Sequence, residues 1–306
     1  MFLKAQIRRL NIKSFDALRN CLFIIPAVVI FSIFYIYPFF DLFSLSLHQW
    51  QGIGPKIFIG FRNFQELFAD KVWWMSMGHA GYITLIALTL QNVLAFSLAL
   101  ACDREIRMKR FYRLVFFIPP VLSEVVVGIL WNWILNSGTH NGQQLGLFNN
   151  FLMHTGFPQL VHNWLSDPKT VLTCIAVVHS WKGFGWGFII LLAGLQTIDR
   201  QLYEAARVDG AGSWNTCRHV TIPLMMPVIM VVVILTILGS MQVFVLIPSL
   251  VNQGLVYHTE VPVTRILASM SGFQFGYACA QAVVFGSILV AVSFTLKSFS
   301  NRMKQA

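Results

Sequence analysis

Two charged residues lie within long apolar stretches of the sequence, where charge is costly. Glu124 falls about ten residues into one stretch and Lys182 about twelve residues into another, which corresponds to roughly 15 and 18 Å along a helix. Both depths are near the middle of a hydrocarbon core about 30 Å thick. Ionisable groups at such depth suggest transport pathways or proton relays by default. The two opposite charges could also pair across a helix bundle, which would leave no net buried charge.

Further polar residues share helical faces with these charges. Spacings of three, four and seven residues place side chains on one face of a helix. Three apolar segments carry such faces, and the candidate substrate-path residues on them are Glu124, Asn132, His179, Lys182, Gly183, Trp186, Thr236, Ser240 and, one step off its face, Gln242. Aromatic planes beside hydrogen-bonding groups suit a sugar, which offers hydroxyls and a C–H face. Helix–helix packing through small and polar residues is the alternative.

The elements that would position these residues are six long apolar segments. Of 306 residues, 56% are apolar and 11% are charged, and apolar content in long blocks is typical of membrane proteins. A spanning helix needs about 20 mostly apolar residues. The six segments lie at about 20–40, 79–101, 114–136, 170–195, 224–249 and 277–297. The sequence therefore predicts an all-α integral membrane protein with six transmembrane helices and no second soluble domain.

The third segment contains two adjacent prolines, Pro119 and Pro120. Each removes a backbone donor, so we expect the helix to kink or break there. In a membrane the freed carbonyls must be covered by protein or line a water-filled cavity. The break could therefore serve packing or could line a pathway.

The net charge of +10 follows the expected topology. With a cytosolic N-terminus, 16 of the 22 Lys and Arg residues fall in cytosolic segments, which is the positive-inside bias. This distribution explains the charge without nucleic acid, which we exclude as a partner. An even number of spans then places both termini in the cytosol.

The first segment and the cysteines have simple interpretations. The first segment follows basic residues but lacks a small-x-small cleavage site, which favours a retained helix over a signal peptide. The five cysteines are scattered and form no C-x-x-C motif, so we interpret them as free thiols used as small apolar residues.

Motifs for covalent or nucleotide chemistry are absent from the sequence. It has no G-x-x-x-x-G-K-[ST] phosphate loop, no H-E-x-x-H zinc motif and no G-x-S-x-G nucleophile elbow. We therefore expect no enzymatic activity, no metal and no cofactor in this chain. If ATP energises it, another subunit must bind the nucleotide.

A charged, small-residue segment separates the fourth and fifth apolar segments. Residues 203–223, hereafter the charged segment, read YEAARVDGAGSWNTCRHVTIP. Gly210 and Gly212 would end or bend a short helix, and Pro223 marks entry to the next span. A short cytosolic helix with small residues can approach another protein closely, and an amphipathic helix lying on lipid is the alternative.

The charged segment and the residues after it, EAARVDGAGSWNTCRHVTIPLMMP, resemble the EAA loop of binding-protein-dependent ABC importer permeases. The matching positions are Glu204, Ala205, Ala206, Asp209, Gly210, Ala211, Val220, Pro223 and Pro227. The resemblance extends over about 20–300, with FFIPPVLSEVVVGILWNWIL and HSWKGFGWGFIILLAGLQTID similar to the sugar permeases of the maltose and glycerol-phosphate type. Cys217 and Ile222 depart mildly from the family pattern. The family usually has a glycine-rich outer segment before the last helix, and in this chain that segment is reduced to NQGLVYHTEV.

The resemblance implies a type I importer permease fold in a bacterial plasma membrane. The topology predicts a basic cytosolic arm at 1–19 and a cytosolic tail at 298–306. The resemblance adds that 20–297 is a permease domain with a coupling helix at about 200–222. ATPase coupling would fall to Glu204, Ala205, Ala206, Asp209, Gly210 and Ala211. The implied partners are a second, homologous permease in a heterodimer, two cytosolic ATPase subunits that bind ATP and Mg, an extracytoplasmic binding protein, membrane lipid and a sugar or sugar-like substrate.

An ion-coupled secondary transporter is the alternative function. Glu124, His179 and Lys182 would then relay protons. No inverted repeat of broken helices stands out in the sequence, although such repeats are common in that class. The two hypotheses differ in whether uptake requires ATP and a binding protein or a proton gradient.

Overall fold

The computed structural model describes residues 22–103, 107–140, 143–144, 146–251 and 256–303. The basic arm at 1–19, together with Cys21 and the last three residues of the tail, lies outside the described residues.

The described chain consists of helices and two short hairpins. The helices are α1 Leu22–Ser46, α2 Arg62–Ala69, α3 Lys71–Asp103, α4 Lys109–Val121, α5 Glu124–Leu135, α6 Leu147–His154, α7 Val171–Leu195, α8 Arg200–Val208, α9 Ser213–Met241, α10 Leu246–Leu250, α11 Val256–Thr259, α12 Pro262–Ser271 and α13 Phe275–Met303. The antiparallel pairs are β1 His48–Gln49 with β2 Ile57–Phe58, and β3 Thr139–His140 with β4 Gln143–Gln144. A 3₁₀ turn covers Pro158–Leu160.

Five of these helices are long and apolar enough to cross a membrane, and a sixth crossing requires a broken pair. The five are α1, α3, α7, α9 and α13, whereas α4 and α5 meet at 97°. The predicted helix at 114–136 is therefore not continuous. Leu122 and Ser123 adopt extended backbone between the two halves, so Glu124 begins α5 instead of lying ten residues inside a helix.

The break follows from the two buried prolines at the end of α4. Pro120 cannot donate to the carbonyl of Phe116, four residues earlier. That carbonyl packs against Gly185 of α7, so closely that a Cβ atom at position 185 would overlap it. Protein thus covers the freed backbone, as a membrane interior requires.

Within the described residues three π-helical turns interrupt the long helices, and the sequence patterns did not predict them. They lie at Ser32–Ile36 in α1, Ala87–Gln91 in α3 and Cys217–Thr221 in α9. A π turn inserts one extra residue and rotates the faces on either side of it, and it often occurs at functional sites. In α3 the turn ends at Gln91, which contributes to the site described below.

The centre of the fold is α7, which buries 13 of its 25 residues. Its N-terminal half packs with α3, α5 and α10 around Ile175 and Val178. Its C-terminal half packs with α3 and α9 around Phe188 and Leu192. Because α7 joins both apolar clusters, its register fixes the neighbouring faces of α3, α5 and α9.

The described chain forms two compact units. The smaller comprises residues up to Ala69 with Ser269–Val284, and the larger comprises Asp70–Ala268 with Phe285 onward. In the smaller unit Asn63 Nδ2 donates to the carbonyls of Ser46 and His48, at 2.8 and 3.0 Å, and so ties α2 to the end of α1. The membrane-length part of α1 buries none of its residues.

Candidate substrate path and exposed charged segment

The two charges predicted near the membrane centre lie close together. Lys182 Nζ is 3.8 Å from Glu124 Oε1, with the lysine side chain 17% exposed and the carboxylate 36% exposed. Glu124 occupies the first turn of α5, where the positive end of the helix dipole favours a carboxylate. The break in the third segment therefore presents Glu124 to the middle of α7, and the two residues form an ion pair.

The remaining predicted face of α7 divides between interior and surface. A Cβ atom on Gly183 would overlap the side-chain amide of Gln91, so this glycine is a close-packing position. His179 is half-buried. Trp186 is 56% exposed and meets the ring of Phe117 edge-on at 5.3 Å. Gly183 thus faces the bundle interior, while Trp186 lies on its outer surface.

A layer of hydrogen bonds joins α3 to α9. We call it the polar layer, and its members are Thr84, Gln91, Asn92, Thr236 and Ser240. Gln91 Nε2 donates to Thr236 Oγ1 at 3.3 Å, and Thr236 Oγ1 donates to Asn92 Oδ1 at 3.0 Å. Ser240 Oγ lies 3.0 Å from Thr84 Oγ1. Thr236 and Ser240 are buried, so in this conformation they connect helices.

The polar layer has unused hydrogen-bonding capacity. Among the described residues, Gln91 Oε1 and Asn92 Nδ2 are buried without a hydrogen-bond partner. Unpaired buried amide atoms cost about 1–3 kcal/mol each. Neither residue was predicted from the sequence, although a polar pair within an apolar segment, as in LTLQNVL, indicates a functional position.

The other two predicted path residues lie elsewhere. Asn132 Nδ2 donates to the carbonyl of Leu250 in α10 at 2.8 Å, and Gly128, one turn earlier, packs against Ser249. This face of α5 is therefore a contact with α10. Gln242 follows the last residue of α9 and is exposed.

A second ionic cluster was not anticipated from the sequence. Arg265 lies 3.8 Å from Asp70 and 3.6 Å from Glu260, whose side chain is buried. His79 Nδ1 is 2.8 Å from the backbone carbonyl of Glu260. The cluster fastens α12 and the residues before it to the start of α3. No group of three potential metal ligands occurs among the residues that the structure describes.

The charged segment begins with a short, well-capped helix. Asp199 accepts a hydrogen bond from the backbone N–H of Gln201 at 3.0 Å at the start of α8. At its end the N–H of Gly210 donates to Arg207 O, and the N–H of Ala211 donates to Ala206 O. These two hydrogen bonds form a Schellman motif. Gly210 adopts the left-handed conformation that the motif needs, with φ 75°.

The outer surface of α8 is uncovered. Four of the six residues predicted to contact an ATPase are exposed, and Ala206 and Ala211 are half-buried. Val208 is 88% exposed and Trp214, just beyond, 74% exposed. On the opposite side Tyr203 Oη lies 3.3 Å from Thr221 Oγ1, at the π turn of α9. The segment thus exposes a mixture of charged, small and apolar residues, and it is tethered to α9.

The sequence matches the family of binding-protein-dependent transport system inner membrane components over residues 91–305. A probable ABC transporter permease protein, YurN of Bacillus subtilis, is 33% identical over 93% of this chain and 96% of its own length. The lactose transport system permease protein LacF of Rhizobium radiobacter is 30% identical over 78% of each chain. In fold, the chain resembles a bacterial ABC transporter involved in the import of the acidic polysaccharide alginate, with a TM-score of 0.77, 23% identity and 96% of this chain covered.

Proposed function

The chain belongs to the family of binding-protein-dependent transport system inner membrane components, and from this premise we propose that it is one permease subunit of an ATP-driven sugar importer. It is a transport protein and not an enzyme. The chain would form half of the translocation pathway in a bacterial plasma membrane. The family match over residues 91–305, which includes the whole charged segment, is the observation that carries the proposal.

Coupling to ATP is assigned to the charged segment. Glu204, Ala205, Asp209 and Gly210 are exposed. The two carboxylates offer charge to a partner, and the small residues Ala205 and Gly210 allow the backbone at these positions to approach it closely. The Schellman motif and the Asp199 cap hold α8 as a rigid unit without the partner. The contact between Tyr203 and Thr221 connects α8 directly to α9, so a displacement of α8 would be transmitted to α9.

Sugar is the proposed substrate class because of relatives and local chemistry. LacF is a lactose transport permease by its name, and the structurally similar transporter imports a polysaccharide. The polar layer adds spare donor and acceptor atoms at Gln91 and Asn92, groups that hydroxyls can satisfy. The proposed substrate-path residues remain Glu124, Asn132, His179, Lys182, Gly183, Trp186, Thr236, Ser240 and Gln242.

The proposed assembly contains four further proteins of three types. A second permease would complete the pathway as a heterodimer, two cytosolic ATPase subunits would bind ATP and Mg, and an extracytoplasmic binding protein would deliver the sugar. A related alginate importer has been solved together with a pentasaccharide-bound periplasmic protein, which supports the last of these partners. The exposed surface of α8 is the proposed contact for an ATPase subunit.

Reconstitution of the complete transporter tests this function. Proteoliposomes that contain both permeases and the ATPase subunits should accumulate radiolabelled sugar only with ATP and the loaded binding protein. Uptake driven by a proton gradient without ATP would contradict the proposal and favour a secondary transporter that uses Glu124, His179 and Lys182. The closeness of Glu124 and Lys182 is compatible with either mechanism, so the energy source decides between them.

A further inference from the structure

The loop between α5 and α7 is long and carries no formal charge. From Asn136 to Ser166 the sequence contains no Asp, Glu, Lys or Arg. Charge resumes at Asp167 and Lys169, just before α7. Loops in water ordinarily carry charge for solubility, and soluble partners are selected through complementary charges. A charge-free loop of this length is therefore unusual for a surface that faces only water.

Large apolar side chains project from this loop. Helix α6 and the 3₁₀ turn after it expose Leu147 (65%), Phe151 (61%), Phe157 (51%) and Leu160 (52%). The opposite side of α6 is buried through Leu152 and Asn149. We call residues Leu147–Leu160 the interfacial element. The element is amphipathic: large apolar side chains are exposed on its outer side, and hydrogen-bonded side chains are buried on its inner side.

Hydrogen bonds on the inner side hold the element in place. Asn149 Nδ2 donates to the carbonyl of His162 at 3.0 Å, and its Oδ1 accepts from Trp164 Nε1 at 2.8 Å. The carbonyl of Trp164 accepts from Thr170 Oγ1 at 2.9 Å, at the start of α7. The apolar side chains are therefore exposed on a fixed scaffold.

A further bond closes the end of α6. The N–H of Phe157 donates to the carbonyl of Leu152 at 3.0 Å, across Gly156 in the left-handed conformation. This hydrogen bond fixes the position of Phe157, and of the turn that contains Leu160, relative to α6.

The position of the interfacial element is set by two membrane-embedded helices. Helix α6 packs against α5, and the inner side is bonded to the first turn of α7. The outer surface of α5 is also apolar, with Ile129 and Trp133 exposed. The element therefore lies at the level where α5 ends and α7 begins, beside two helices whose composition is that of membrane spans.

We propose that the interfacial element lies in the membrane–water interface and inserts Leu147, Phe151, Phe157 and Leu160 at the boundary of lipid headgroups and acyl chains. Aromatic and aliphatic side chains on an amphipathic helix favour this location. The element anchors the ends of α5 and α7 at a fixed depth. Lipid is favoured over a soluble binding protein because the element is fixed between the end of α5 and the start of α7, two helices of membrane-spanning composition, where lipid headgroups meet acyl chains.

Spin labels in the complete transporter test the proposal. A nitroxide is attached to Phe151→Cys in a background without native cysteines, and the transporter is reconstituted into phosphatidylcholine–phosphatidylglycerol liposomes. A matched label at Asn163→Cys reports an exposed polar position in the same loop. We expect the label at position 151 to collide with oxygen and to be shielded from an aqueous nickel chelate, and the label at position 163 to show the reverse.

Two outcomes would overturn the proposal. Equal nickel accessibility at positions 151 and 163 would place the element in water. Shielding at position 151 that develops only when the binding protein is added would make the surface a protein-docking site. Leu160→Cys, outside α6, repeats the measurement if the Phe151 variant does not assemble. The readout is independent of sugar uptake, so it stands whether or not the proposed function holds.

Discussion

The polar layer and the charged segment are two regions where this apolar chain concentrates hydrogen-bonding groups, and the first buries those groups whereas the second exposes them. The polar layer buries Thr236 and Ser240 and pairs them across helices within the chain. The charged segment exposes Glu204, Asp209 and Gly210. The first region pairs most of its groups within one chain, whereas the second presents a preformed surface, which is the proposed contact for an ATPase subunit.

This difference predicts different consequences of mutation. Removing one partner from a buried pair leaves the other unsatisfied, which lowers the free energy of unfolding. Changes on an exposed helix usually alter stability by less than about 0.5 kcal/mol. Mutations in the polar layer should therefore act on stability, and mutations in the charged segment should act on coupling while the permease remains folded.

The largest effect is expected at Gly210. Gly210→Asp places a side chain on a residue with φ 75°, in the Schellman motif that ends α8, and adds charge to the proposed ATPase contact. Sugar uptake should be abolished, and the ATPase subunits should be released from membranes, as measured by transport assay and sedimentation.

Gly212→Asp is the matched control for this prediction. Gly212 caps the next helix with φ −68° and has open space around it, and Asp is favourable at a helix N-cap. It should retain the ATPase and uptake. Normal uptake by Gly210→Asp would remove α8 from the coupling mechanism.

A moderate effect on stability is expected in the polar layer. Thr236→Val keeps the side-chain volume but removes the hydroxyl that pairs with Gln91 and Asn92. The free energy of unfolding should fall by about 0.5–1.5 kcal/mol, since hydrogen bonds between membrane helices are individually modest. Thermal unfolding of the purified transporter measures the change. Thr89 in α3 is exposed and forms hydrogen bonds to its own helix, so Thr89→Val should leave the midpoint of thermal unfolding unchanged. Equal shifts in the two variants would show that the polar layer does not contribute specifically to stability.

A smaller effect, specific to one pair, is expected at the helix break. Glu124→Ala and Lys182→Ala should be non-additive in a double-mutant cycle on uptake, with a coupling of about 0.5–1 kcal/mol because both side chains are partly exposed. The exposed Arg62–Glu66 pair provides the control cycle. Strict additivity at Glu124 and Lys182 would show that the two charges act separately.

The smallest effect is expected when the pH is lowered around Asp167, in the loop before α7. The backbone N–H of Lys169 and the hydrogen bond with His162 lower the pKa of Asp167 below its ordinary value near 3.8. A depressed pKa means that the ionised carboxylate stabilises the folded loop above the ordinary value. This contribution is lost as the pH falls through the lowered pKa, in the window below about 4.

Spin-label mobility at position 163 measures this loss. The label should stay immobile from pH 7 down to about 4 and become mobile below that value. Asp167→Asn should make it more mobile across the whole range, because the His162–Asp167 contact at 2.7 Å is altered at every pH. Unchanged mobility of the label from pH 7 to well below 4 would show that the ionised Asp167 carboxylate does not hold the loop.

Several features were predictable because they depend on local sequence. Long apolar blocks gave the membrane class and the helical fold, although residues 114–136 form two helices at 97° and not one. Pro119 and Pro120 gave the break itself, since a missing donor acts on its own helix wherever it packs. The cytosolic position of both termini stays a prediction from the distribution of Lys and Arg.

The sequence by itself determined the membrane class, the proline break and the charged segment, because each depends on residues that are close together in the chain. Periodicity further showed which residues share a helical face. Only the tertiary structure decided which faces turn inward. It paired Glu124 with Lys182, placed Gly183 against Gln91 and left Trp186 outside. The physical reason is that the rotation of each helix depends on packing against α7 and on π turns such as Ala87–Gln91, which shift a face without leaving a pattern in the sequence.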